Sequence, residues 1–375
     1  MTDVSAWFAR PAARDWRCAP PRRDARKFHE SFAEYRPTPL HEVPDLAREL
    51  GVGRVFVKDE SSRLGLPAFK MLGASWAVAG LIATRAGLEH PTLETIRQTN
   101  PAGLVLVTAT DGNHGRAVAR MARLIGASAQ IFVPEVIRQE TLDAIASEGA
   151  EVVRVDGDYD EAVRAASVHA QEQPEAELVQ DTAWEGYERV PAWIVEGYET
   201  LVDEADEQLA AVGVAQPDLV AVPTGVGSLL QAVIAHYRSR AGSHAPAILS
   251  VEPTTAACVL ASLAAGRPTS VETDATVMAG LNCGSISAAA WPYVRDGLDA
   301  AVAVTDADAL RAVDGLRSAG ISSGPSGAAS LAGARAMLMG SDARRRRQES
   351  GISEASAVLL LSTEGDNRSI GPAQR

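Results

Sequence analysis

Leu104-Val105-Leu106-Val107-Thr108 is followed by Ala109-Thr110-Asp111-Gly112-Asn113-His114-Gly115 and then by an amphipathic run to Ile125. The stretch reads as a strand, a glycine-bounded loop and a helix. A strand that is apolar without alternation is covered on both faces, which is the situation inside a parallel sheet. Working outward, the same kind of run recurs at Ala129–Val133, Val152–Val155, Leu219–Val222, Ala247–Val251, Ala301–Val304 and Val358–Leu361. Helical stretches are expected at 114–125, 136–147, 160–171, 193–211, 228–239, 306–318 and 326–338. Val55–Lys58 reads as a further strand, and Leu46–Leu50 as a short helix closed by Gly51. Strands alternating with helices predict the α/β class, with parallel sheets covered by helices on both faces. Residues 1 to about 35 read as an irregular arm that packs on a partner or on the body.

The chain has 375 residues, 46% hydrophobic and 22% charged, with a net charge of −13. That balance argues against nucleic acid or an anionic membrane as partner, since both demand a basic surface. No stretch approaches a transmembrane span and the N-terminus lacks the apolar core of a signal peptide, so a cytoplasmic protein is expected. The basic run Arg344–Arg347 reads as a solvated loop or helix end. Cys18, Cys258 and Cys283 form no Cys-x-x-Cys pair and the histidines show no ligand spacing, so no metal is expected.

In parallel sheets ligands bind at the carboxyl ends of strands, where a loop opens a helix. Three such loops stand out. In the first, Thr110, Asn113 and the backbone amides could take a carboxylate at a helix N-terminus, and Asp111 could move protons. Plain Asp-Gly turns cap helices too, but two glycines around Asn-His exceed what a cap needs. The second is Pro223-Thr224-Gly225-Val226-Gly227-Ser228, suited to one phosphate. Glu252 after the next strand raises the dinucleotide alternative, but the third glycine of that fingerprint is replaced by Leu230. The third is Ser362-Thr363-Glu364-Gly365-Asp366, where a hydroxyl could meet an aromatic nitrogen without protonating it.

Pro67-Ala68-Phe69-Lys70-Met71-Leu72-Gly73-Ala74 adds a lysine at the start of a helical run. Lys70, Gly73, Ala74 and Ala77 share one face, all small but the lysine. Loss of solvation lowers a lysine pKa, which a Schiff-base lysine requires because only the neutral amine attacks a carbonyl. Most helix lysines are merely solvated, so this stretch gains meaning from the loops above.

Taken in order, these motifs resemble the fold-type II, tryptophan synthase β-like, pyridoxal-phosphate enzymes. Within them, the pattern is similar to the diaminopropionate ammonia-lyases over about residues 25 to 370. The stretches carrying it include Ala25-Arg26-Lys27-Phe28-His29, Thr110–Gly115, Gln180-Asp181-Thr182-Ala183-Trp184-Glu185-Gly186-Tyr187, Met278-Ala279-Gly280-Leu281 and Ser362–Asp366. The resemblance implies pyridoxal 5′-phosphate as cofactor, bound covalently by Lys70 with Phe69 against its ring. Asn113 would meet the ring hydroxyl, Gly225, Val226, Gly227 and Ser228 the phosphate, and Ser362 with Thr363 the pyridine nitrogen. Thr110, Asp111, His114 and Asp181 would contact the substrate, with Lys70, Asp111 and Asp181 catalytic. It also implies a homodimer, and a large domain of residues 1–82 and 190–375 with a small domain, 83–189, inserted. The implied activity is elimination of ammonia from 2,3-diaminopropionate; the alternative is a serine or threonine dehydratase, which carries serine or threonine where Asp111 stands. Relatives also carry an acid just before a Ser-Gly-Ala turn, whereas Ser323-Gly324-Pro325-Ser326-Gly327-Ala328 has none. Cys258 and Cys283, each near a motif, are expected close together.

Overall fold

The computed structural model describes residues 7–20, 24–99, 101–240 and 245–366. Its strands are β1 (Trp7–Ala9), β2 (Leu40–Glu42), β3 (Arg54–Asp59), β4 (Val105–Ala109), β5 (Ser128–Pro134), β6 (Glu151–Val155), β7 (Ala176–Leu178), β8 (Leu219–Pro223), β9 (Ala247–Pro253), β10 (Ala300–Val304) and β11 (Ala357–Ser362). They fall into two compact units, one of residues 1–21, 37–69 and 201–375, the other of residues 22–36 and 70–200.

The first unit holds a sheet in the order β1-β10-β9-β8-β11-β3-β2. The five inner strands are parallel. Every residue of β8, β9, β10 and β11 is buried, which is why each reads as an unbroken apolar run. The two edges differ from the expected all-parallel sheet. β1 runs antiparallel to β10 and β2 antiparallel to β3. Such short edge strands need no helical crossover and close the sheet against further pairing. The N-terminal arm therefore packs on this unit through β1 and through Trp16, which meets Tyr293 edge-on with ring centroids 5.7 Å apart.

The second unit is a four-stranded parallel sheet, β6-β5-β4-β7. It extends beyond the expected 83–189 segment because the helix Lys70–Ala86 packs closely on the first part of the helix Arg189–Ala211. A Cβ on Gly73 would lie 2.6 Å from the Tyr198 ring, and one on Gly197 2.5 Å from the Leu72 carbonyl oxygen. The small residues beside Lys70 thus serve a close helix–helix approach.

The basic run is not simply solvated, as the sequence suggested. It lies in the helix Ala343–Ser350, and Arg346 is buried with its guanidinium 5.0 Å from the Trp7 ring centroid. Arg347 donates to the carbonyls of Leu50, Gly51 and Leu338. Those carbonyls end the helices Pro44–Leu50 and Pro325–Leu338 and have no intrahelical donor, so a guanidinium beside them is drawn inward.

Candidate active site

Lys70 is the first residue of its helix, and its Nζ donates to Asp181 Oδ2 at 2.5 Å. Both side chains are largely buried. Burial alone would raise the Asp181 carboxyl, but the Lys70 charge, with His114, outweighs it and holds the group at about 2. Nζ also lies 6.0 Å from the Tyr198 ring centroid. His114 is buried, with Nε2 2.7 Å from the Val179 carbonyl. A carbonyl there requires the ring hydrogen on Nε2, so in the neutral imidazole Nδ1 carries a lone pair. Nδ1 stands 3.9 Å from Asp181 Oδ2, and burial lowers the His114 pKa. Nδ1 makes no hydrogen bond, and His114 is tied to the Val179 backbone instead.

The loop after β4 is shaped by Thr110, whose Oγ1 accepts from the amides of Gly112 and Gly115 at 2.9 and 3.0 Å. These bonds engage the oxygen's lone pairs, not the O–H that a substrate carboxylate would accept from. Gly112 has φ +154°, a conformation that L side chains rarely adopt, and a Cβ on Gly115 would meet the Thr110 methyl at 2.3 Å. The two glycines permit this fold of the loop, and Asn113 opens the helix Asn113–Ile125. Asp111, between cap and glycine, is pushed up to about 7, first by burial and then by the charges of Asp181, Asp160 and Asp158.

Sequence reasoning assigned no role to Gln180, although it sits in a recognisable motif. It is fully buried; Oε1 accepts from Thr108 Oγ1 and the Ala109 amide, each at 2.9 Å, and Nε2 donates to Tyr159 Oη at 2.9 Å. It pins the end of β4 to the segment bearing Asp181 and to the start of the helix Tyr159–Glu172, beside Asp158 and Asp160. Its place in that motif was the only signal, and the burial that gives it its role is invisible in one sequence.

In the first unit, two loops leave the same carboxyl end of the sheet. The Pro223–Ser228 loop opens the helix Ser228–Arg238, with Gly227 at φ +97° as its cap residue. Thr224 is turned inward, Oγ1 donating to the Val222 carbonyl at 3.0 Å. A Cβ on Gly225 would lie 3.0 Å from Cys283 Sγ, and Cys258 Sγ is 3.9 Å from the Gly225 carbonyl oxygen. The two thiols thus flank one glycine, as the sequence led us to expect, and burial, then Glu252 and Cys283, push the Cys258 thiol up. Glu252 is buried at the end of β9 and accepts from the amides of Val259 and Leu260 at 2.7 and 2.9 Å. A carboxylate occupied as a helix cap cannot hold a ribose, which removes the dinucleotide alternative.

The loop after β11 is stitched on both sides. Phe69 donates its amide to Thr363 O at 3.2 Å and Gly365 to Pro67 O at 2.9 Å, while Ser362 Oγ bonds Ser323 Oγ at 2.8 Å. Ser362 is fully buried and Phe69 and Thr363 nearly so. Phe69 immediately precedes Lys70 in the chain, so the backbone before the lysine is tied to the serine loop.

The sequence profile of the family described as pyridoxal-phosphate dependent enzyme matches residues 32–361. The chain belongs to that family. It is 39% identical over 353 residues to diaminopropionate ammonia-lyase of Escherichia coli K12, covering 91% of this chain and 87% of that one. With the Salmonella typhimurium LT2 enzyme of the same name the identity is 37% over 361 residues, covering 90% and 87%. The crystal structure of the E. coli holoenzyme superposes with a TM-score of 0.83 at 38% identity, over 92% of this chain and 88% of that one. Maize serine racemase, at 23% identity and a TM-score of 0.73, shares the fold.

As a fold-type II pyridoxal-phosphate enzyme, the chain carries a donor set that fits its cofactor. A glycine loop with no side chain at 225 or 227 opens an 11-residue helix, leaving amides for a phosphate. The Lys70–Asp181 pair and the buried Ser362 hydroxyl are groups of the kind that such a cofactor's chemistry needs. Among the described residues no cluster of His, Cys, Asp or Glu could hold a metal, and no helix is long and apolar enough to cross a membrane.

Proposed function

We propose that the chain eliminates ammonia from 2,3-diaminopropionate: one water is consumed, and one pyruvate and two ammonia molecules are formed. The observation that carries this is the setting of Asp111, a carboxyl pushed up first by burial and then by the charges of Asp181, Asp160 and Asp158. A negative field at a substrate-facing loop selects a cation, and a β-ammonium is one; a β-hydroxyl is not. The E. coli and Salmonella relatives carry the name of that activity.

We assign Gly225, Val226, Gly227 and Ser228 to the cofactor's phosphate, Asn113 to its ring hydroxyl, Ser362 with Thr363 to its ring nitrogen, Phe69 to its ring and Lys70 to its aldehyde carbon. When bound, the cofactor acidifies the substrate Cα–H by drawing charge into its ring. Lys70, in its neutral form, takes up the Cα proton. Asp181, kept ionised, then holds the Lys70 ammonium. Asp111, near neutrality in its proton affinity, keeps the β-amine protonated so that it departs as ammonia rather than as an amide anion. Thr110 keeps the loop in the shape that aims Asp111. The reading extends, on the same family resemblance, to a homodimer in the cytoplasm, which light scattering of the purified holoenzyme checks for assembly. The test of the activity is keto-acid release from 2,3-diaminopropionate, serine, threonine and O-acetylserine. Serine or threonine turning over faster than the diamino acid sinks the proposal.

A further inference from the structure

We propose that Glu364 is a positioning residue for Ser362, acting through the turn Ser323–Ser326. The helix Pro325–Leu338 begins at Gly324, which brings no side-chain cap, and with Pro325 next in line. Its Ser326 amide is one of the donors that a helix start leaves without an intrahelical acceptor. Glu364 supplies the acceptor from another segment, Oε1 lying 3.1 Å from that amide, where a carboxylate also meets the positive end of the helix dipole. Its own carbonyl accepts from the Gly324 amide at 3.1 Å. Ser326 Oγ in turn accepts from the Gly280 amide at 3.2 Å, so three distant segments meet at this carboxylate.

Gly324 identifies the carboxylate as the organising group. Its φ is −74°, ordinary backbone that any residue adopts, so nothing in the main chain calls for glycine. A Cβ there would instead lie 2.6 Å from Glu364 Oε1 and 2.9 Å from the Gly365 carbonyl oxygen. The carboxylate fills the volume that a side chain at 324 would take. This clamp fixes Ser323, whose Oγ sits 2.8 Å from Ser362 Oγ, and the same loop is bonded to Pro67 and Phe69 just before Lys70. Glu364 sits two residues beyond Ser362 and is itself nearly buried, so loss of its carboxylate frees the turn and with it the direction of the Ser362 hydroxyl.

The inference rests on the assignment of Ser362 to the cofactor. The readout is the affinity of the cofactor-free chain for pyridoxal phosphate, titrated by absorbance, in Glu364→Ala, Ser362→Ala and the double variant. Loss of a helix-cap acceptor typically weakens a linked equilibrium about five- to tenfold, and that is the expected cost of Glu364→Ala. In the Ser362→Ala background the cost falls to within about twofold, because the residue acts through that hydroxyl. Glu364→Gln keeps an acceptor oxygen and stays within about twofold of wild type. Gly324→Ala leaves every polar side chain in place yet drives a methyl onto Oε1. It should weaken cofactor binding at least as much as Glu364→Ala does, since the methyl also meets the Gly365 carbonyl oxygen. Full additivity of Glu364→Ala with Ser362→Ala overturns the proposal while leaving Ser362 at the cofactor. If Ser362→Ala itself binds the cofactor as wild type does, the assignment of Ser362 fails first, and the inference falls with it.

Discussion

Asp111→Asn removes one charge and almost no volume, and its effects on stability and on turnover should run in opposite directions. The Asp111 carboxyl moves from its ordinary 3.8 to about 7. A rise of roughly 3 units at about 1.4 kcal/mol each makes the ionised form cost the fold on the order of 4 kcal/mol, and about 2–4 after allowance for partial exposure. The sign follows from linkage. The folded chain holds this proton more tightly than the unfolded one, so the stability it confers is complete below about pH 4 and is lost as pH rises towards 7. Asparagine escapes that loss. In urea titrations of the cofactor-free chain followed by tryptophan fluorescence, the variant should gain on wild type by about 1–3 kcal/mol between pH 5 and pH 8. Above pH 8 the gap stays constant. Turnover of 2,3-diaminopropionate should meanwhile fall by roughly two to four powers of ten, the cost of removing one partner of a buried charge pair. Serine carries no β-charge, so any turnover of it should fall less. A stability difference that does not grow with pH refutes the buried, like-charged setting of Asp111. Equal losses on both substrates refute its recognition of the β-amine and leave it a general proton carrier.

Lys70→Ala should abolish pyruvate release and the visible absorption band of the bound cofactor while leaving far-UV circular dichroism unchanged; near wild-type turnover contradicts the assignment. The ionic cluster that anchors the loop before Lys70 is fully buried: Arg63 donates to Glu60 and Glu204 at 2.6 and 2.7 Å, and Lys58 to Glu204 at 2.8 Å. Arg63→Ala strands two carboxylates against one lysine and should cost about 3–5 kcal/mol in urea unfolding, whereas a loss below about 1 kcal/mol would show the cluster to be solvated. Cys258 and Cys283 flank Gly225, so diamide treatment followed by peptide mass mapping should find them cross-linked to each other; both thiols alkylating freely after diamide argues against pairing.

The α/β class was legible from the residues alone, because strands buried on both faces must be apolar throughout. β8 to β11 and the helices Ser228–Arg238, Asp306–Ser318 and Pro325–Leu338 therefore stand in the sequence almost where the structure has them, whereas Cys258–Ala265 and Trp291–Gly297 were not expected. The glycine-bearing strand-end loops after β4 and β8 were legible too, since a glycine between a strand end and a helix start leaves few alternatives. β1, β2 and β7 were not, because three residues are too few to display a period. Arg346 and Arg347 were misjudged because charge suggests solvent, and only the fold showed which helix ends needed donors.

By itself the sequence determined the class and the strand-end loops, and it set Lys70 at a helix start and Asp111 and Ser362 at strand ends, since these depend on residue type and spacing over a few positions. Only the tertiary structure decided what each polar atom meets. It placed Asp181 on Lys70, turned Thr110 into a cap, made Gln180 a tie between strand end and acid, and set Glu364 in the volume left by Gly324. Those outcomes depend on pairs of residues tens to hundreds of positions apart. Hydrogen bonding and charge act over a few ångströms of space, and no local pattern records which distant segments the folded core brings within that reach.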